Sequence, residues 1–168
     1  VKHQTINDIE RYGKYLVFIL DEDVMIMHMR MEGKFYIKQA HEIKSPYEHV
    51  IFTFSDQVQM RYHDVRKFGT IHLLDKNNYL DTYPIANLGS EPKDTDKVKF
   101  YKAIHHRKTA IKSVLLDQHV IAGLGNIYVD ETLFLSGIHP MRSAQKITKK
   151  EASRLVDSAT IVLDKATK

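Results

Sequence analysis

"VIAGLGNIYVDETLF", residues 120–134, sets Gly123 and Gly125 either side of Leu124, follows them with Asn126, and then runs into a segment of helical texture. It is not a dinucleotide fingerprint, because Tyr128 stands where the third glycine would be and no parallel strand–helix unit surrounds it. It is not a P-loop, because no Gly-Lys-Ser/Thr follows. What remains is a tight turn between two helices, in which glycines permit positive φ and leave backbone N–H groups uncovered at a helix start. Such a turn suits a phosphate, and Asn126 can add a side-chain amide. A helix-hairpin turn that needs glycine for its own geometry is the other reading, and the residues alone leave both open.

Outward from this turn the chain has two textures. On the C-terminal side the period is helical. Asp94 can cap "TDKVKFYKAIHH", Thr109 can start "AIKSVLLDQ", and Asn126 can start "IYVDETLFLS", which Gly137 ends. Thr148 and Glu151 have capping-box spacing, and Ala152, Leu155, Ala159, Val162 and Ala166 follow at helical steps. On the N-terminal side, residues 13–74 alternate short β-branched and aromatic runs with turn signals: "GKYLVFIL", "VMIMHMRM", "KFYIK", "YEHVIFTF", "VQMRYHD" and "FGTIHLL". These predict antiparallel strands in a sandwich or barrel. Tyr15, Val17 and Ile19 share one face of their strand and Leu16, Phe18 and Leu20 the other, the mark of a strand buried on both sides. Between the textures, residues 77–92 are rich in turn formers and read as a linker with room for one short helix. The reading is an α+β chain: a β domain over 1–76, a linker over 77–92, and a helical domain over 93–168.

The 168 residues suit one domain or two small ones, and 43% hydrophobic with 27% charged residues suits a globular chain. No apolar run reaches the roughly 18 residues of a membrane span, and no signal-peptide pattern stands near Val1, so a cytoplasmic setting with no membrane partner is expected. There is no cysteine, and the ten histidines show no HExxH-type spacing, so no metal is expected in these residues. The net charge of +4 is unevenly spread. Residues 1–100 carry 14 Lys+Arg against 15 Asp+Glu, whereas residues 101–168 carry 11 against 6. A basic second part favours a polyanionic partner through counterion release, although a solvated basic surface has the same composition.

Three further stretches could carry chemistry. In "RYHDVRKFG", residues 61–69, Arg66 can enter a groove and Phe68 can wedge between bases. The ordinary alternative puts Phe68 in the core and pairs Arg66 with Asp64. In "HMRMEGKF", residues 28–35, Met31 precedes Glu32-Gly33 at what reads as a hairpin end, where it could project or simply fill core. In "HHRKTAIK", residues 105–112, Arg107 and Lys112 flank a helix start and suit backbone contact with nucleic acid.

Taken together and in order, "RYGKYLVF", "HMRMEGKF", "RYHDVRKFG", "LGSEP", "KTAIKSVLLDQHVIAGLGNIYVDETLF" and "SGIHP" resemble bacterial formamidopyrimidine-DNA glycosylase, the Fpg or MutM family that excises oxidised purines. The resemblance extends over essentially the whole chain. It implies a β-sandwich followed by a helix-two-turn-helix element from about Lys108 to Phe134, with Gly125 and Asn126 holding phosphates next to a lesion. It also implies that Lys14 contacts phosphate and assists β-elimination, and that Met31, Arg66 and Phe68 fill the space left by a flipped nucleotide, the arginine facing the orphaned cytosine. Arg107 matches a DNA-contact position, Lys112 a lysine near the damaged nucleotide, and His28 a residue near the backbone. Tyr47 stands where many members have a DNA-binding histidine. Endonuclease VIII-type relatives typically lack this Met, Arg, Phe arrangement, which favours the oxidised-purine branch.

The resemblance also implies features that these residues do not contain. Members begin with Pro-Glu-Leu-Pro-Glu-Val-Glu, whose proline amine is the nucleophile that forms a Schiff base and whose glutamate is the acid–base partner. They end in a four-cysteine zinc finger. This sequence opens "VKHQTINDIERYGK" and closes "VLDKATK", so the expectation is an internal piece of a glycosylase and AP lyase with an incomplete sandwich, inactive by itself. The expected partner is duplex DNA with an oxidised purine or abasic site, approached by a monomeric parent. Self-association would be one way for the piece to cover exposed edges. A non-catalytic damaged-DNA-binding module is the alternative, and an RNA-binding role, suggested by a similar element in a ribosomal protein, leaves the β half unexplained.

Overall fold

A computed structural model describes residues 1–166. Seven strands come first: β1 (Asp8–Tyr12), β2 (Tyr15–Ile19), β3 (Asp23–His28), β4 (Lys34–Gln39), β5 (Glu48–Thr53), β6 (Val58–His63) and β7 (Thr70–Asp75). Helices α1 (Lys97–His105), α2 (Ile111–Leu116), α3 (Asn126–Ser136) and α4 (Lys149–Ala166) follow, with single 3-10 turns at Tyr79–Asp81, Pro92–Asp94 and Ala144–Lys146. The chain divides into two compact units. One holds residues 1–11 and 15–77, and the other holds residues 12–14 and the described residues from Asn78 to Ala166.

In the β unit the strands form two sheets, ordered β1-β2-β3-β7 and β4-β6-β5. The registered pairs β2/β3, β3/β7, β4/β6 and β5/β6 are all antiparallel. Phe18, Leu20, Met25, Met27, Met60 and Tyr62 form the core, with Phe35 in edge contact with both Phe18 and Tyr62. β2 is buried on both faces at Val17–Phe18, as its two-sided apolar pattern predicted, and β3 is buried on both faces over Val24–Met27. β1 was not anticipated: "DIERY" is charged and largely exposed, and it joins the edge of its sheet through backbone pairing that no hydrophobic period announces.

The chain passes from one sheet to the other twice, between β3 and β4 and between β6 and β7. The stretch around Met31 is therefore a crossing between sheets and not a hairpin end, because β3 pairs with β2 and β7 whereas β4 pairs with β6. On the far side of β6, Arg61 is fully buried and donates to Gln59, to Glu48 and to the carbonyls of Gln39, Glu42 and Ile43. It fastens the long β4–β5 connection over its own sheet. Burial pushes the Glu48 carboxyl up, but hydrogen bonds from Arg61 and Lys38 outweigh this and hold it below its ordinary value.

The helical unit packs around Ile104, Ile111, Leu115, Ile121, Leu124, Leu133, Ile147 and Leu155, with α4 against α1 and α3. Two helix starts differ from expectation. Pro92 sets a 3-10 turn through Asp94, so the cap of α1 is Asp96, which accepts from the Val98 and Lys99 N–H groups. α2 begins after Ala110, whose bridge to Ser143 takes the place of a side-chain cap at Thr109. The other signals hold. Gly137 ends α3 at φ +65°, and Thr148 and Glu151 bond reciprocally at the start of α4, with Arg142 adding two more bonds to Glu151.

Candidate nucleic-acid interface

The two glycines of the 123–126 turn do different things. Gly123 lies at φ +97°, where a side chain would be strained, and its N–H donates to the Gln118 side chain. Gly125 is extended at φ −102°, ψ 177°, a conformation open to any residue. A Cβ built there would meet only the Lys14 side chain, at 3.7 Å from Nζ and 3.9 Å from Cε, ordinary contact distances. Nothing within the helical unit therefore requires glycine at 125. What its bare backbone does is keep clear the space over the start of α3. That helix opens at Asn126 with no side-chain cap, so the N–H groups of its first turn face outward at the positive end of the helix dipole.

Lys14 reaches this place through the β1–β2 turn. Gly13, at φ +56°, donates its N–H to Glu91, and a Cβ on it would stand 3.2 Å from the Ala122 Cβ and 3.4 Å from the Gly123 nitrogen. The close seating of this turn sets the backbone of Lys14 beside the 123–126 turn. From the other side, Gly89 donates to the Gln118 carbonyl, and Ala122 donates to the Ser90 carbonyl. The structure thus brings Lys14, Gly125 and Asn126 together. An ammonium beside uncovered helix N–H groups is the arrangement that holds a phosphate oxygen.

Arg107 and Lys112 belong to the same unit, but each already faces a carboxylate. Arg107 Nη1 lies 2.8 Å from Asp117 Oδ2, and Lys112 Nζ lies 2.7 Å from Asp130 Oδ1. The guanidinium bond holds the Asp117 carboxyl below its usual range. Both pairs are solvent-accessible, and accessible pairs of this kind contribute at most about 1 kcal/mol, so a phosphate can compete for either cation.

The remaining candidates lie in the β unit. Met31 and Phe68 are 73% and 51% exposed, which removes the reading of either as core filler. The Arg66 guanidinium lies over the Phe68 ring at 4.8 Å and not on Asp64, which instead accepts the backbone N–H groups of Arg66 and Gly69 and the Tyr62 hydroxyl. Those bonds, Gly69 foremost, outweigh burial and keep the Asp64 carboxyl below its ordinary value. Lys67 at φ +57° completes a tight loop that turns its side chains outward. On the other crossing, the His28 ring accepts the Arg30 N–H and shapes a second positive-φ turn, Arg30 at +56°, directly before Met31. Tyr47 has its ring 5.6 Å from His63 and its carbonyl on the Asp64 N–H. Met31, Tyr47, Arg66 and Phe68 thus sit on connections next to Asp64 or just after β3, and His28 is the last residue of β3.

Sequence models of two domains match. That of the formamidopyrimidine-DNA glycosylase N-terminal domain covers residues 1–71, and that of the formamidopyrimidine-DNA glycosylase H2TH domain covers residues 88–168. The chain belongs to the formamidopyrimidine-DNA glycosylase family. Its sequence is 46% identical over 166 residues to the formamidopyrimidine-DNA glycosylase of Brevibacillus brevis, covering 97% of this chain and 60% of the relative. It is 44% identical to that of Bacillus cereus, covering 100% of this chain and 62% of the relative. Among solved structures, it is similar to the Lactococcus lactis Fpg bound non-covalently to DNA containing an AP site, with a TM-score of 0.92 at 37% identity over 97% of this chain and 62% of that one. A MutM complex with DNA containing carbocyclic 8-oxo-G gives 0.91 at 38% identity, over 97% and 63%. The chain therefore spans about three-fifths of the length of the Fpg relatives it matches.

Sequence reasoning missed the supports of these sites. Tyr62 and Asp64 frame the Arg66 loop, and Glu91 seats the turn before Lys14. The Asx-turn spacing of Asp64 before Arg66 was the available signal for one of them. Among the described residues no three His, Asp or Glu side chains converge as a ligand set.

Proposed function

We propose that these residues form the duplex-gripping and base-testing part of a base-excision-repair glycosylase and AP lyase acting on oxidised purines. The observation that carries this reading is the outward setting of Met31, Arg66 and Phe68 on two tightly tied connections, where the ordinary alternative required a buried Phe68. An exposed apolar ring with a guanidinium over it is suited to enter a stack where a base has left, the arginine reaching the partner base and the ring separating its neighbours. The Lys14, Gly125 and Asn126 group would hold phosphates of the same duplex, with Arg107 and Lys112 exchanging their carboxylate partners for backbone oxygens. That solved Fpg relatives are complexes with abasic or Fapy-dG DNA supports duplex DNA as the partner here.

In the whole protein, base excision would pass through an imine on an N-terminal proline, followed by β- and δ-elimination, with Lys14 placed at a phosphate to assist. The 168 residues hold no match to the family's Pro-Glu nucleophile motif. The test is fluorescence anisotropy on two matched duplexes, one intact and one with a stable abasic analogue opposite cytosine, across a salt series. Preference for the abasic duplex, reduced at least about tenfold by Arg66→Ala with Phe68→Ala, is expected from the loss of one bidentate contact and one stacked ring. Equal affinity for both duplexes, or a preference untouched by the double change, would overturn the reading.

A further inference from the structure

The two crossings between sheets carry all three proposed base-testing side chains, and one oxygen atom lies between them. Tyr62 is 5% exposed, with its ring in the β-unit core against Phe35. Its hydroxyl emerges where the crossings approach each other. A Cβ built on Gly33, in the Met31 connection, would stand 2.6 Å from that oxygen, and one built on Gly69, in the Arg66–Phe68 connection, 1.7 Å from it. Each glycine is bare where the same hydroxyl must fit, and at Gly33 the Met29 carbonyl, 2.5 Å from the Cβ position, adds to that demand. The hydroxyl donates to Asp64 Oδ2 at 3.0 Å, and that same carboxylate accepts the Gly69 N–H at 2.9 Å and the Arg66 N–H at 3.1 Å. On the Met31 side, Gly33 donates to the Met29 carbonyl at 3.1 Å, and the His28 carbonyl lies 3.2 Å from the Cβ position of Gly69. Each connection also holds a non-glycine residue at positive φ, Arg30 and Lys67, which persists only where the surroundings fix it.

We propose that the Tyr62 hydroxyl, bonded to Asp64 and packed between Gly33 and Gly69, is a positioning group that fixes the Met31 connection against the Arg66–Phe68 connection, so that the three side chains act as one rigid probe. The inference rests on the reading of those side chains as base-testing. Burial, with Asp64 adding to it, raises the phenol to about 12, so the group remains a donor throughout the range in which a repair enzyme works. A hydroxyl that only satisfied its own burial would hold one loop. This one lies against both.

The experiment is amide hydrogen exchange on the 168-residue chain and its Tyr62→Phe variant, with the two-duplex binding assay alongside. Removing the hydroxyl while keeping the ring should accelerate exchange at both Gly33 and Gly69, roughly tenfold, the scale of one buried hydrogen bond, while amides of β2 and β3 stay as they were. Acceleration at Gly69 alone, or at neither glycine, overturns the proposal. In binding, Tyr62→Phe should lower the abasic-to-intact preference severalfold without changing affinity for the intact duplex. An unchanged preference where Arg66→Ala lowers it would overturn the positioning role. If Arg66→Ala and Phe68→Ala together leave the preference untouched, the base-testing reading fails, and the exchange data still decide whether one hydroxyl couples the two loops.

Discussion

At the sheet crossings of the β unit, side chains are pushed outward: Met31 and Phe68 stand in solvent, and Arg66 is held over a ring and not over a carboxylate. At the 123–126 turn of the helical unit, side chains are withheld: Gly125 is bare, α3 has no cap, and the nearest cation arrives from the β1–β2 turn. Under the proposed function the first arrangement would tell one base step from another, because it offers shape and a directed donor fork. The second offers N–H groups and an ammonium, which every phosphate satisfies equally. On that proposal discrimination and grip would be built from opposite materials, and a change in either should leave the signature of its own kind.

The largest effect is expected from the paired glycines of the grip. Gly123→Ala forces a side chain to φ +97° and should cost about 1–3 kcal/mol in thermal unfolding, whereas Gly125→Ala should leave stability within about 0.5 kcal/mol while weakening binding to intact and abasic duplexes alike. If Gly125→Ala destabilised the chain as much as Gly123→Ala, the division of labour between the two glycines would be wrong. Next in size is Lys14→Met. It should lower affinity for both duplexes by a common factor, roughly fivefold, and reduce the salt slope by about 1, in contrast to the selective loss expected from Arg66 and Phe68. A selective loss from Lys14→Met would move that residue to the testing side.

A smaller effect separates the units by pH. The Glu151 carboxyl is held down to about 2 by Arg142, with Thr148 assisting, against an ordinary value of 4.5. A lowered folded-state value means that its stabilisation is complete above about 4.5 and is lost as pH falls toward 2. The start of α4 should therefore fray over that window, seen as loss of the Glu151 amide signal, and Glu151→Gln should abolish the transition. The smallest effect is expected from Asp130→Asn. Releasing Lys112 from an exposed pair should tighten binding to both duplexes by no more than about threefold at low salt, and weakening instead would mean that Asp130 aims the lysine.

How far the sequence foretold these regions follows from the range of the interactions that build them. The Asn126 helix start, the Gly137 stop and the Thr148–Glu151 box are settled within four residues, and each was legible. Asp96 displaced Asp94 as a cap because Pro92 begins a 3-10 turn whose extent the local pattern does not state. β1 was invisible because its place depends on a neighbouring strand and not on its own apolar period. The setting of Met31 between two sheets depends on which strands pair, and the engagement of Lys112 by Asp130 spans 18 residues. The motif resemblance named Met31, Arg66 and Phe68, and the structure sets them on the two crossings between sheets. The hydroxyl and carboxylate behind them lay on an inward-facing register that only folding brings to the loops.

Position 125 carries one more implication. Most glycines at tight turns are kept by the fold itself, so any survey of tolerated substitutions that scores folding alone would mark them intolerant. Gly125 would pass such a survey with alanine or serine in its place, since its backbone is extended and its neighbour is the movable end of a lysine. If the proposed function holds, only a survey that scores survival under oxidative mutagenesis would reject those replacements. The gap between the two scores at this single residue would measure how closely a phosphate approaches the chain, with no complex having to be crystallised.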